Sequence, residues 1–201
     1  GNPSSALEIA RILDENGYCA ELWGKAEKGL PTTLNTFPAI VWSAGDYMQA
    51  ITSSEEAELL RGYRNGLLLE GSDIAADLAG RGNESLLREI SGIAFASDLL
   101  IPLTESHTLN KKEHPILEGV GTLEIEGNYS PYPDSVEALD AEVVAEWRNG
   151  SNAITASNLS RGRRAVYYAF SVDGVTDNAG RERLVLNTVQ WLLEGANSPP
   201  Q

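Results

Sequence analysis

Two stretches decide the fold: Phe37-Pro-Ala-Ile-Val-Trp-Ser-Ala-Gly-Asp-Tyr47, and Tyr63-Arg-Asn-Gly-Leu-Leu-Leu-Glu-Gly-Ser-Asp-Ile-Ala75. Each holds a short apolar run that ends in glycine and acidic residues. Runs of this length without polar alternation suit strands covered on both faces, as in a parallel sheet. Between them, Ser53 and Glu56 stand three apart before Leu59, Leu60 and Tyr63, which predicts a capping box and a helix to about Arg64. Asn65-Gly66 stops that helix. Strand, helix, strand with short connections is the grammar of an α/β layer structure.

Outward from this centre, Leu7, Ile9, Ala10 and Leu13 predict an opening helix that ends at Asn16-Gly17. Tyr18 to Trp23 reads as a strand. Helices are expected near 73–79 and 83–91, and a last one is capped by Asp177, carries Leu184, Val185, Thr188, Val189 and Leu192 inward, and closes at Gly195. In the second half Leu99–Pro102, Leu123–Glu126, Glu142–Trp147, Asn152–Thr155 and Ala165–Phe170 read as strands. Asn149-Gly150 is a hairpin turn between two of them. The expectation is a flavodoxin-like three-layer α/β sandwich: a mostly parallel central sheet with an antiparallel extension. Residues 1–196 form a single domain and 197–201 a tail or linker.

Composition sets the outer bounds. The chain has 201 residues, 42% of them hydrophobic and 22% charged, with a net charge of −14. Phosphate backbones would be repelled, so nucleic acid is excluded as a partner. No apolar run approaches the roughly 18 residues of a membrane helix, so membrane insertion is not expected. The single cysteine, Cys19, excludes a disulfide framework and a thiolate zinc site, and reads as a small buried hydrophobe. Asn-x-Ser sequons at Asn83, Asn128, Asn149 and Asn158 also suit ordinary polar loops.

"FPAIVWSAGDY" (37–47) and "YRNGLLLEGSDIA" (63–75) resemble the centre of the class I glutamine amidotransferase-like superfamily. "EHPILEGV" (113–120) resembles the His-Pro-Ile segment of its ThuA-like, trehalose-utilisation branch. "RGRRAVYYAFSVDGV" (161–175) and "RERLVLNTVQWLLEG" (181–195) resemble the last strand and helix of that group, which also occurs in secreted prokaryotic proteins. The resemblance implies a strand before the first helix. This sequence starts after that place, so the first strand is expected to be missing. Its slot, beside Ile40-Val41, should be filled by another segment or another molecule, because an empty slot leaves backbone donors unmet.

In such sheets ligands bind at the carboxyl ends of the strands. Those ends carry Asp46, Glu70, Ser72, Asp73 and Asp173, and the resemblance adds His114. These are the candidate ligand-binding residues. The resemblance places a nucleophilic cysteine in the elbow after Leu67–Leu69, and here Gly71-Ser72-Asp73 stands in its place. Ser72 is either a cap for the helix near Asp73 or a replacement nucleophile, for which His114 would be the base. His114 is followed by Pro115 and Ile116, so the amidotransferase His-Pro-Glu pattern is not matched. His114 otherwise orders the loop before Pro115, and His107 reads as solvated.

Asp46, Glu70, Asp73 and Asp173 together would suit calcium or magnesium, and with His114 a transition metal. The opposing reading is a chance cluster in an acidic chain, with no cofactor. Trp23, Trp42, Trp147 and Trp191 read as core. The loop Asn128-Tyr-Ser-Pro-Tyr-Pro-Asp134 is either a contact surface or a Pro-ordered loop packed on the sheet.

The functional expectation is therefore a non-catalytic binding or interaction domain without amidotransferase activity. The alternative is a hydrolase or sugar-related ThuA-like enzyme using His114 and the strand-end carboxylates. The expected partners are neighbouring domains of a larger protein or a small polar or carbohydrate ligand, with a homo-oligomer also compatible. The acidity and the secreted relatives favour the cell exterior over the cytoplasm.

Overall fold

The computed structural model describes residues 3–47, 49–100, 105–126 and 132–196. A mixed sheet of eight strands forms the middle layer. Its parallel part is β1 (Ala39–Gly45), then β2 (Gly66–Gly71), then the last strand in sequence, β10 (Arg164–Tyr168). Every residue of β2 is buried, because it has strand neighbours on both sides and helices on both faces. Its three leucines are fully covered, and burial of each contributes about 2 kcal/mol. This is why Leu67–Leu69 reads as an unbroken apolar run.

The antiparallel extension starts at β9 (Asn152–Asn158), which pairs with β10. Beyond β9 lie β7 (Asp134–Ala138) and β3 (Ile93–Asp98). β8 (Glu142–Glu146) also pairs with β9, and β5 (Asn110–Lys111) pairs with β8. β4 (Ser106–Thr108) and β6 (Glu124–Glu126) make a separate two-stranded ribbon. The strand read at Leu99–Pro102 is displaced. The paired residues are Ile93–Asp98, Leu99 and Leu100 lie outside any strand, and 101–102 lie outside the described residues.

Helices α1 (Pro3–Glu15) and α6 (Asn178–Ala196) pack together on one face of the sheet. The other face carries α4 (Ile74–Gly80) and α5 (Glu84–Ser91), with α3 (Ser54–Gly62) against α5. A short helix, α2 (Lys25–Lys28), sits before β1. The capping box at α3 is present: Ser53 Oγ accepts the Glu56 amide and the Glu56 carboxylate accepts the Ser53 amide. Such a box is worth about 1 kcal/mol. Asp177 accepts the amides of Ala179 and Gly180 at the start of α6. None of the helices among the described residues is long and apolar enough to cross a membrane.

One side of β1 is an edge. Among the described residues no strand pairs with it there, and residues 18–23, read as a strand, join no strand ladder. No described segment of this chain fills the slot. Strand conformation needs a neighbour for its backbone groups, and without one the 18–23 run stays irregular. Two side-chain expectations fail with it. Cys19 is exposed rather than buried, and Trp23 is 42% exposed, its indole N–H held by the Gly29 carbonyl at 2.8 Å. Trp147 and Trp191 are core residues as read, and Trp42 is half-buried.

Candidate functional site

The tight turn expected after β2 is present. Gly45 and Gly71 both have positive φ (57° and 154°), and the Ser72 amide donates to the Gly45 carbonyl at 2.9 Å. A side chain at Gly71 would meet Ala44 Cβ and the Gly45 carbonyl oxygen at 2.9 Å each, so glycine is required there. Ser72 therefore sits at the apex of a sharp strand-to-helix elbow, at the carboxyl ends of β1 and β2.

The elbow is closed. Ser72 is only 3% exposed, and its hydroxyl donates to Asp46 Oδ1 at 2.8 Å. Ser72 does not cap α4, contrary to the sequence reading. Asp73 is the residue before the first turn, and its side chain makes no capping bond either. The cap comes from far along the chain. Asp134, the first residue of β7, accepts the amide of Ala75 at 2.7 Å on Oδ2 and that of Ala76 at 3.1 Å on Oδ1. The Tyr167 hydroxyl donates to the same Oδ2 at 2.5 Å. The Asp134 amide donates to the Ser72 carbonyl at 2.7 Å, and the Trp147 indole donates to the Asp134 carbonyl at 3.0 Å. The helix start that faces outward in a working elbow is thus covered by a carboxylate of the protein itself.

Asp134 is fully buried. Burial pushes its pKa up to about 8, Asp73 adds to the rise, and the Tyr167, Ala75 and Ala76 donors oppose it. The sequence reading misses this residue as a site component. The partners of its carboxyl group lie 33 to 59 positions away, so no local pattern marks it.

Glu70 is the second fully buried carboxylate, on the other face of β2. Its Oε1 accepts the Ser5 hydroxyl and the Val172 amide, both at 2.5 Å, and its Oε2 accepts the Ser43 hydroxyl at 2.6 Å. Burial raises its pKa, the three donors oppose that, and the charge of Asp173 adds to the rise. Glu70 fastens α1, β1 and the turn after β10 to the central strand. Asp173 accepts the Ser171 hydroxyl in that turn.

The remaining candidates do not converge. His114 lies beside Trp191 near the end of α6, with ring centroids 5.5 Å apart, and Trp191 stacks with Arg164 at 4.6 Å. Arg164 begins β10, and β10 runs parallel to β2, so His114 is at the opposite end of the sheet from Ser72. Its Nδ1 accepts the Ile116 amide at 3.2 Å, which orders the turn at Pro115–Leu117. Burial lowers its pKa, favouring the neutral ring that accepts this bond. Asp46 joins Ser72, Asp173 joins Glu70, and Asp73 lies beside Asp134. Among the described residues no three His, Cys, Asp or Glu side chains form a group able to hold a metal ion.

A separate cleft of about 350 Å³ is lined by Leu99, Leu100, His107, Trp147, Arg148 and Asn149, so half-buried His107 is not simply solvated. In the 128–134 loop, residues 128–131 lie outside the described residues. Tyr132 is 51% exposed, while Asp134 is buried.

No protein-family model matches the chain, and no curated protein matches it. Solved structures do. A β-galactosidase from Bacillus circulans sp. alkalophilus is similar with a TM-score of 0.70 and 15% identity, over 100% of this chain and 29% of that one. A cytoplasmic protein from Salmonella typhimurium LT2 is similar with a TM-score of 0.67 and 14% identity, over 94% of this chain and 85% of that one. A putative GMP synthase component from Thermoplasma acidophilum is similar with a TM-score of 0.54 and 12% identity, over 92% and 88%. The chain spans 29% or less of the β-galactosidases it matches. At these identities the likeness establishes an α/β fold.

Proposed function

We propose that this chain is a non-catalytic interaction domain of the glutamine amidotransferase-like kind, built without amidotransferase activity. One observation carries the reading: the elbow is sealed from within. The Ser72 hydroxyl is buried and engaged by Asp46, and the helix start behind it is covered by Asp134. A nucleophilic serine needs an accessible oxygen and a base, usually an imidazole. The ThuA-like enzyme alternative is weakened by the same geometry, since His114 lies at the other end of the sheet from the strand-end carboxylates.

The partner in this reading is a neighbouring domain of a larger polypeptide, held at the outer edge of β1. That edge has none of the usual guards inside it, being Ala-Ile-Val-Trp-Ser-Ala-Gly without charge or proline. Exposed Phe37 and Tyr47 flank it in sequence, and Leu22 and Trp23 are exposed just before α2. Lys25 of α2 reaches over the Trp42 ring of β1. The likeness to β-galactosidases, whose chains are much longer than this one, supports a setting within a larger protein.

The test is a panel of activated esters and primary amides, glutamine included, assayed with the wild-type chain and with Ser72→Ala. Both should give buffer-level rates. Turnover that disappears in Ser72→Ala would restore the serine nucleophile and overturn the reading.

A further inference from the structure

The cleft at Leu99, Leu100, His107, Trp147, Arg148 and Asn149 has a chemically uneven wall. Its apolar part is the two leucines, with fully buried Trp147 as the floor. Its polar part is one guanidinium, one imidazole and one amide. No Asp or Glu lines it, although the chain holds 29 acidic residues against 15 Lys and Arg. Arg148 is exposed and makes no ion pair among the described residues, whereas Arg11, Lys25, Arg61, Arg81 and Lys112 each have a carboxylate.

The backbone around the cleft is held by the fold itself. Leu99 follows β3, and its amide donates to the Pro133 carbonyl at 2.9 Å. His107 is the middle residue of β4 and pairs with Ile125 of β6. Trp147 follows β8. Its indole donates to the Asp134 carbonyl at 3.0 Å, and its ring meets Phe170 edge-on at 6.0 Å. Arg148 and Asn149 sit in the turn to β9. The Trp147 amide closes that turn on the Ser151 carbonyl at 2.7 Å, and the Gly150 amide donates to the Trp147 carbonyl at 2.8 Å. Asn149 Oδ1 accepts the amide and the hydroxyl of Ser151, which leaves its Nδ2 as a donor. The cleft therefore offers donors from Arg148, Asn149 and the His107 ring beside an apolar wall.

We propose that this cleft binds a small organic acid, a monocarboxylate carried on a compact aromatic or branched apolar body. A guanidinium fork matches a carboxylate with two parallel hydrogen bonds. The leucines and the Trp147 ring would cover the apolar body. Phosphate would leave that wall uncovered, and a neutral apolar molecule would leave Arg148 without a counter-charge. The chain's net charge of −14 repels anions at long range, so the attraction is local to these donors. A cleft of about 350 Å³ is near the small end of ligand sites, which span about 300–1,000 Å³, and this limits the size of the acid. The cleft lies by β3 and the β8–β9 turn, at the far end of the sheet order from β1. It is independent of any partner held at the β1 edge.

The experiment titrates the isotope-labelled full chain with phenylacetate and with isovalerate at fixed ionic strength, following the Trp147 indole resonance and the calorimetric heat. Acetate supplies the charge without the body, phenylethanol the body without the charge, and inorganic phosphate a different anion. Arg148→Gln and Leu100→Gln change exposed side chains of the cleft. Arg11→Gln removes the same charge from α1, where Glu8 and Glu15 hold Arg11. At least one of the two acids should bind and move the Trp147 indole, and the three control ligands should each bind about tenfold more weakly or worse. Arg148→Gln should weaken the acid about tenfold and Leu100→Gln about threefold, with Arg11→Gln unchanged. Binding of neither acid would overturn the proposal, as would equal affinity in wild type and Arg148→Gln. So would acetate or phosphate binding as tightly as the larger acids, or heat with no shift at Trp147, which would put the anion elsewhere on the chain.

Discussion

Glu70 and Asp134 are both fully buried carboxylates, and both are raised by burial, yet they hold different kinds of partner. Glu70 accepts two serine hydroxyls and one amide, from three separate segments. Asp134 accepts two adjacent amides at the start of a helix and one tyrosine hydroxyl. A serine hydroxyl can turn and either donate or accept. A backbone amide can only donate, and its direction is set by the helix. Glu70 is therefore an adaptable fastener, and Asp134 is a fixed cap. The sealed elbow depends on the second.

The largest expected effect breaks the cap. Asp134→Ala leaves the Ala76 amide and the Tyr167 hydroxyl without an acceptor and the Ala75 amide with only the Tyr167 hydroxyl oxygen at 3.3 Å, and should cost about 3–5 kcal/mol in urea unfolding. Glu70→Gln keeps an amide oxygen and the rotatable hydroxyls, and should cost about 1–2 kcal/mol. Equal losses for the two variants would erase the distinction between cap and fastener.

The second effect is in the pH dependence. The Asp134 pKa is raised on folding, so the folded chain keeps a proton that the unfolded chain has released. Its contribution to stability is fully present below the ordinary carboxylate pKa of about 4. It is lost as pH rises through that window and is gone above about 8. The slope within the window approaches about 1.4 kcal/mol per pH unit. Glu70 acts with the same sign. Glu56 has the opposite sign: its pKa is lowered by Lys25 and the Thr52 and Ser53 amides against desolvation, so its contribution fades as pH falls. The difference between wild type and Asp134→Asn isolates the Asp134 term. A difference that stays flat from about pH 4 to pH 8 would show that the cap is ionised throughout.

The same contrast explains what can be read from the sequence. Glu70 is legible because it ends an apolar strand, and the end of a strand is a local pattern. The Ser53–Glu56 box and the Asp177 cap are legible for the same reason. Asp134 is not, because its helix partners are 58 and 59 residues away. β7, Asp-Ser-Val-Glu-Ala, has little apolar character of its own and forms because β3 and β9 flank it. The run at Tyr18–Trp23 fails in the opposite sense: it has strand-like residues and, among the described residues, no strand to pair with. Leu99-Leu-Ile-Pro draws the strand reading by its apolarity, whereas the pairing belongs to the more polar Ile93–Asp98. Resemblance singles out His114 by residue type, and type does not fix place.

The smallest effect tests how the elbow itself is held. Ser72 touches the Asp134 region through its backbone carbonyl and Asp46 through its hydroxyl. Ser72→Ala removes only the second bond, and Asp46 is half-buried, so water can replace the lost donor. The expected loss is about 0.5–1.5 kcal/mol in urea unfolding, with an unchanged m-value. If the backbone bonds among Gly45, Ser72 and Asp134 hold the turn, amide exchange at Ala75 and Ala76 will stay as slow as in wild type, because their acceptor is untouched. Faster exchange at those two amides would place the hydroxyl, rather than the distant cap, at the centre of the seal.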